Sequence, residues 1–232
     1  MVQVNNTPIN LRVKFKKIGK LQYISHLDLV RTLHKIIVRA KLPLWYTEGF
    51  NPKPKMVFAA PLSIGTESLC EFVDIRLTEK ISEEEAIRRI NLNMTEEMMA
   101  TRAYYPDTKL TDLKWLSYTL KINTSGASEA LAAECETALL SDTVTVLKKT
   151  KSGDMTVADI RPLIKSANAV YDGDEIRISC ILSADASAFL NPEYVIKALK
   201  EKCKILSDPC IINEGYSIMR EGAYRADMSE FL

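Results

Sequence analysis

The sequence predicts an α+β protein of two tandem β-α-β-β-α-β domains, the ferredoxin-like order. Two observations carry this. Apolar residues switch between a period of two and a period of 3.6 in that order, and they do so twice. A break near 107–113 separates a first domain, 1–106, from a second, 113–232. At 232 residues, with 47% apolar and 26% charged side chains, the chain has the composition of an ordinary folded protein. Each half is long enough to build a core of its own. No residue-level repeat links the halves, so the duplication is one of element order.

Ile9, Leu11, Val13 and Phe15 alternate with Asn10, Arg12, Lys14 and Lys16, which describes a half-buried strand with a basic second face. Gly19 marks a turn, and Ser25-x-x-Asp28 is a capping-box variant that opens a helix. Leu29, Leu33, Ile36, Ile37 and Ala40 form one stripe of that helix, with Arg31, Lys35 and Arg39 along the opposite side. Pro43 ends it, because the residue before a proline avoids helical angles. Extended stretches follow around 44–47 and 56–60, separated by Gly49-Phe50-Asn51-Pro52-Lys53-Pro54. A strand over 71–77, a helix capped by Ser82-x-x-Glu85 and carrying Ala86, Ile87 and Ile90, and a closing strand over 98–105 complete the half.

In the second half Leu116, Tyr118, Leu120 and Ile122 alternate as a strand, and 128–140 reads as a helix. Two further strands fit 157–164 and 175–182, the latter entered through the turn Asp172-Gly173-Asp174. Asn191 caps a helix with Pro192 at its first position, where a missing N–H does no harm. A last strand fits 211–219.

The charge total, 31 Lys+Arg against 30 Asp+Glu, hides an asymmetry. Residues 1–61 hold eleven basic and two acidic side chains, a net of +9, which leaves −8 for the other 171. A basic end against an acidic remainder points to a polyanion-binding surface. Five widely spaced cysteines (70, 135, 180, 203 and 210) form no C-x-x-C pair, which argues against a disulfide framework or a zinc ribbon and for a reducing, cytoplasmic setting. No P-loop, G-x-G-x-x-G, H-E-x-x-H, G-x-S-x-G or C-x-x-x-C-x-x-C motif occurs. The sequence therefore predicts no bound cofactor or metal. No run reaches the roughly 18 apolar residues of a membrane span.

Within the basic segment, Arg12, Lys14 and Lys16 on one strand face would stand about 7 Å apart, a spacing able to follow phosphates. Arg31, Lys35 and Arg39 offer a second cationic row. Asn51, Lys53 and Lys55 lie on a loop stiffened by two prolines, which suits recognition because little entropy is lost on contact. Nearby aromatics, Phe15, Tyr23, Trp45, Tyr46, Phe50 and Phe58, are candidates for base stacking, although Phe15 alternates inward. His26 and Asp28, in the first helical turn, are the candidates for acid–base chemistry, while His34 falls on the polar side and reads as exposed. The expected centre is the place where the helix start (Ser25, His26, Asp28) meets the 51–55 loop.

The segments Arg12-Val13-x-Phe15-x-Lys17-x-Gly19, Tyr23-Ile24-Ser25-His26-Leu27-Asp28-Leu29-x-Arg31, Tyr46-Thr47-x-Gly49-Phe50-Asn51-Pro52-x-Pro54, Pro61-Leu62-x-Ile64-Gly65-x-Glu67-Ser68 and Glu71-x-x-Asp74 resemble the radical SAM-linked protein family. Asp159-Ile160-Arg161-Pro162 is similar to it too. This is a bacterial domain found beside, or fused behind, a radical SAM protein. The resemblance implies a radical SAM partner and a role in RNA or ribosome-related modification, with no established reaction. The expected function is thus an accessory, substrate-binding protein that engages tRNA or rRNA through its basic first domain. In outline, tandem ferredoxin-like domains with a basic helix and one His also resemble CRISPR repeat-cleaving endoribonucleases, so a metal-independent RNA-processing enzyme is one alternative. A protein adaptor without RNA binding is another.

Overall fold

In the computed structural model, which describes residues 7–149, 153–207 and 214–232, the first alternating run forms strand β1 (Ile9–Lys17). A 3-10 turn (Gly19–Tyr23) leads to helix α1 (His26–Arg39), which is followed by β2 (Met56–Phe58) and β3 (Thr66–Leu77). Helix α2 (Glu83–Asn91) and β4 (Ala100–Tyr104) follow. These elements belong to the first of two compact units, Met1–Asp112 with Leu232; the second is Leu113–Phe231.

In the first unit the strands lie in the order β4-β1-β3-β2, every neighbour antiparallel. Leu11, Val13 and Phe15 of β1 and Val73, Ile75 and Leu77 of β3 turn toward the helices. There they meet Leu29, Leu33, Ile36 and Ile37 of α1 and Ala86 and Ile90 of α2, all buried. Each such aliphatic side chain contributes about 1.5–3 kcal/mol on burial. The helix starts follow the local chemistry. Ser25 and Ser82 are extended N-caps whose hydroxyls accept the backbone N–H of Asp28 and Glu85. Gly19 takes a left-handed φ of +62° at the turn, a conformation that favours glycine.

The second face of β1 is not the open cationic row the alternation suggests. Arg12 is 0% exposed. It stands directly opposite Asp74 on β3 and Tyr104 on β4. Its Nε and Nη2 donate to the two Asp74 carboxylate oxygens at 2.7 and 3.1 Å, and Nη1 and Nη2 donate to Thr108 Oγ1 and O at 2.8 and 3.0 Å. Burial pulls the guanidinium pKa down, but the hydrogen bonds and charge of Asp74 outweigh it and hold it above its ordinary value. Arg12 is a structural cation, and this corrects its assignment to phosphate binding. The cause is the facing acid: Asp74 alternates onto the same face of β3 and neutralises it.

The second unit carries β5 (Trp115–Asn123), α3 (Glu129–Leu140), β6 (Thr145–Lys149), β7 (Met155–Asp159), β8 (Ile164–Asp172), β9 (Glu175–Ser183), α4 (Glu193–Cys203) and β10 (Gly215–Tyr224). Its main sheet has the order β10-β5-β9-β8, again antiparallel throughout. The strand expected over 157–164 is replaced by a separate β6–β7 hairpin and a 3-10 turn at Arg161–Leu163. Pro162 interrupts pairing there. The true partner of β9 is β8, whose inward positions are the small Ala167 and Ala169, too weakly apolar to announce a strand. Residues 211–213 of the expected last strand lie outside the described residues, and β10 runs on to Tyr224. The N-cap of α4 is Pro192, one residue later than expected, and Asn191 Oδ1 accepts the Glu193 N–H at 3.1 Å from just ahead of it. Cys135 and Cys180 are buried in this unit, and burial pushes both thiols up to about 12, so neither supplies a thiolate. No described helix is long and apolar enough to cross a membrane.

Two measurements test this description. Asp74→Ala strands the Arg12 cation in the sheet and should lower the urea-derived unfolding free energy by about 3–5 kcal/mol. The double variant Arg12→Met, Asp74→Leu should recover most of that loss. On α2, the hydrogen bonds and charges of Arg88 and Arg89 hold the Glu85 carboxyl down to about 2. Because the folded value is depressed, the support these ion pairs give α2 is complete above pH about 4.5 and is lost as pH falls toward about 2. An NMR titration should find the Glu85 midpoint near that lower value.

Candidate nucleic-acid interface

The motif-rich residues of the first unit gather around α1. Ser25 Oγ accepts the Asp28 N–H at 3.1 Å and donates to Asp28 Oδ2 at 2.7 Å, while Arg31 Nη1 donates to Asp28 Oδ1 at 3.3 Å. The Asp28 carboxylate is thereby engaged in the cap, where it also complements the helix dipole. The exposed His26 sets its ring edge-on to Phe58 of β2, with centroids 5.1 Å apart. His26 and Asp28 are thus turned to separate tasks and do not pair with each other for acid–base work.

Between α1 and β2 the chain builds an arm. The Trp45 N–H donates to Arg76 O at 2.8 Å, and the Lys55 N–H donates to Trp45 O at 3.0 Å. Tyr46 bridges Pro54, the Thr47 N–H donates to Lys53 O at 2.9 Å, and the Lys53 N–H returns to Thr47 Oγ1 at 3.1 Å. This short ladder carries a tip of five residues, 48–52, in which Gly49 at φ +120° makes a turn that side-chain-bearing residues rarely adopt. Phe50 stands at the tip, 112% exposed, and Asn51, Lys53 and Lys55 are exposed beside it. The ring thus stands in water on a loop braced by its own hydrogen bonds and two prolines.

The arm is rooted at the middle of α1, not at its start. His34 Nε2 lies 3.2 Å from Pro54 O, so this ring is half-buried, where the sequence placed it in solvent. The offset is geometric. Eight helical residues from His26 to His34 span about 12 Å, and four extended residues from Phe58 back to Pro54 span about 13 Å. The helix start therefore meets β2, and Pro54 meets the helix about two turns further on. Around the helix from His34, at about 100° per residue, Arg31 lies about 60° away, Lys35 about 100° and Arg39 about 140°. All three are exposed, with Arg31 turned closest to the arm and Arg39 furthest.

Lys14 and Lys16 are partly buried on the sheet face opposite that of Leu11, Val13 and Phe15, so the sheet separates them from the α1 cations. The Lys14 ammonium lies over the Phe72 ring, 5.7 Å from its centre. The nine expected binding residues thus divide into a buried cation (Arg12), a pair behind the sheet (Lys14, Lys16) and a group on and around α1 and the arm. Sequence reasoning missed the rooting contact of His34. It also missed Leu27 and Ile64, which like Tyr23 are apolar and more than half exposed. The Gly65 N–H donates to Gln22 O at 3.0 Å, which ties Ile64 to the 19–23 turn. Among the described residues, no three His, Cys, Asp or Glu side chains gather in a metal-binding group.

Thr47→Val removes the acceptor for the Lys53 N–H at an exposed site. Global stability should shift by less than about 0.5 kcal/mol, while hydrogen exchange at the Lys53 amide accelerates and that of the β1 amides does not.

The chain matches no curated protein. Among solved structures it is similar to an unknown protein from Galdieria sulphuraria, with 10% identity, a TM-score of 0.27, and coverage of 92% of this chain and 99% of that one. It is also similar to DyPB from Rhodococcus jostii RHA1, with 9% identity, a TM-score of 0.22, and coverage of 93% and 92%. In the family comparison, residues 10–192, from β1 to the start of α4, match the family described as "Uncharacterized protein conserved in bacteria (DUF2344)", and the chain belongs to that family.

Proposed function

We propose that the protein is an RNA-binding accessory module, acting beside a radical SAM protein in the cytoplasm, and that it holds RNA on the arm and the adjoining face of α1. The observation that carries this reading is the arm itself, a braced loop that presents the bare Phe50 ring next to Asn51, Lys53 and Lys55. Aromatic rings stack on unpaired bases and cations follow the backbone, the combination that single-strand recognition uses. Arg31 and Lys35 extend the cationic track, and Tyr23, Leu27 and Ile64 rim it with apolar surface. The shared strand order of the two units supports reading each as a ferredoxin-like domain, the second with the β6–β7 hairpin inserted after its first helix. The motif resemblance supplies the radical SAM partner and the tRNA or rRNA class. His26 serves this surface through its contact with Phe58.

Fluorescence anisotropy with a labelled single-stranded RNA oligonucleotide, repeated across a salt series, tests the reading. Phe50→Ala should weaken binding by about 1–3 kcal/mol at every salt concentration, without changing the slope. Lys53→Gln and Lys55→Gln should each flatten the slope by about 0.7, and Arg39→Gln should do so least. Wild-type binding with no salt dependence, or variants that all bind like wild type, would overturn the proposal. Metal-free cleavage of the oligonucleotide that disappears in His26→Ala would replace it with the endoribonuclease reading.

A further inference from the structure

Strand β8 is an edge: among the described strands it pairs with β9 alone. In an antiparallel ladder every second residue of such a strand turns its N–H and C=O outward. The Ala169 N–H shows which residues these are, because it donates to Glu136 Oε2 of α3 at 2.8 Å instead of to β9. The backbone N–H and C=O of Ala167 and Tyr171, two residues to either side, point away from β9 in the same way. Natural edges are usually blunted by proline, a central bulge or an inward charge. Over its nine residues β8 has no proline, and its register shift lies at its very start, between Ile164 and Ser166. Its guard is Glu136, which also accepts from Asn168 Nδ2 at 3.0 Å.

Alongside this edge runs a groove of about 480 Å³ between α3 and β8. Its floor is low, with Ala133 and Thr137 on the helix side, and Val170 and Tyr171 stand on the strand side. The charged residues lining it are Glu129 and Glu136, both acids. Room over small helix residues beside unpaired backbone is the shape that an added strand fills.

We propose that the β8 edge accepts an extended, basic segment of a partner protein as an added strand. Backbone of the incoming segment pairs with Ala167, Ala169 and Tyr171. Glu136 leaves the Ala169 N–H and turns to a Lys or Arg of the segment, and a branched apolar side chain lies over Ala133 and Thr137. Charge selects this occupant over a second copy of the chain. Two copies pairing about a two-fold axis at Ala169 would bring their two Glu136 carboxylates together with no cation in the groove to separate them. The site stands apart from the RNA reading, which rests on the first unit.

The probe is a synthetic peptide of alternating Val and Thr with one central Lys and a soluble tail, titrated into the isotope-labelled full chain and followed by NMR. Saturable shift changes should fall on 167–171 and 133–137, and exchange of the Ala169 amide should slow. Replacing the central Lys of the peptide by Glu should weaken binding about fivefold, the worth of one partly exposed ion pair, and Glu136→Gln should erase that preference. Ala169→Pro removes an N–H that β9 does not use, so the chain should stay folded by circular dichroism yet bind neither peptide. Three results would each overturn the proposal: no saturable shifts at the edge, equal affinity of the wild-type chain for both peptides, or sedimentation showing that β8 instead joins two copies.

Discussion

The Arg12–Asp74 pair, buried in the first unit's sheet, is the contact on which the rest of that unit is arranged. It joins the two central strands β1 and β3 at directly opposed positions, with Tyr104 of β4 in the same row. A guanidinium is planar, and Asp74 accepts from both Nε and Nη2, so the pair specifies register as well as balancing charge. A slip of one residue would send Arg12 into the Leu11–Phe15 core and bring Leu11 or Val13 out beside Asp74. Thr108, which accepts from the same guanidinium, draws the segment after β4 back over the strand.

That arrangement determines where cations and aromatic rings share a surface of the unit. With Arg12 neutralised inside the sheet and Lys14 and Lys16 behind it, the cations free to work with an aromatic ring lie on the far side, around α1. The helix is anchored by its Leu29–Ile37 stripe, and it in turn anchors the arm through His34 and β2 through His26. Phe50 thus stands on a support that reaches back to the core.

The second unit repeats the strand order with different chemistry. Its core thiols are buried and uncharged, its hairpin β6–β7 is inserted in the chain between α3 and β8, and its edge strand is guarded by a carboxylate from α3. The same architecture therefore presents cations and an aromatic tip in one unit, and an acidic groove beside unpaired backbone in the other. Fold alone does not assign function to either; the side chains placed on it do.

Much of the fold was legible in the amino-acid order, because it depends on local periodicity and local caps. The stripe Leu29–Ala40, the inward residues of β1 and β5, and the serine caps at 25 and 82 all lie where near neighbours put them. The arm's prolines, glycine and lysines also marked it in advance as a stiff, polar, cationic loop. What required tertiary structure was every feature decided by a residue far along the chain. Arg12 reads as an exposed cation until Asp74, 62 residues away, is placed opposite it. His34 reads as solvated until Pro54 arrives beside it, and β8 is hidden because its inward alanines carry almost no hydrophobic signal without β9. Alternation tells which residues share a face of a strand. Whether that face meets water, a counter-ion or another strand depends on distant segments, whose arrival only the folded chain determines.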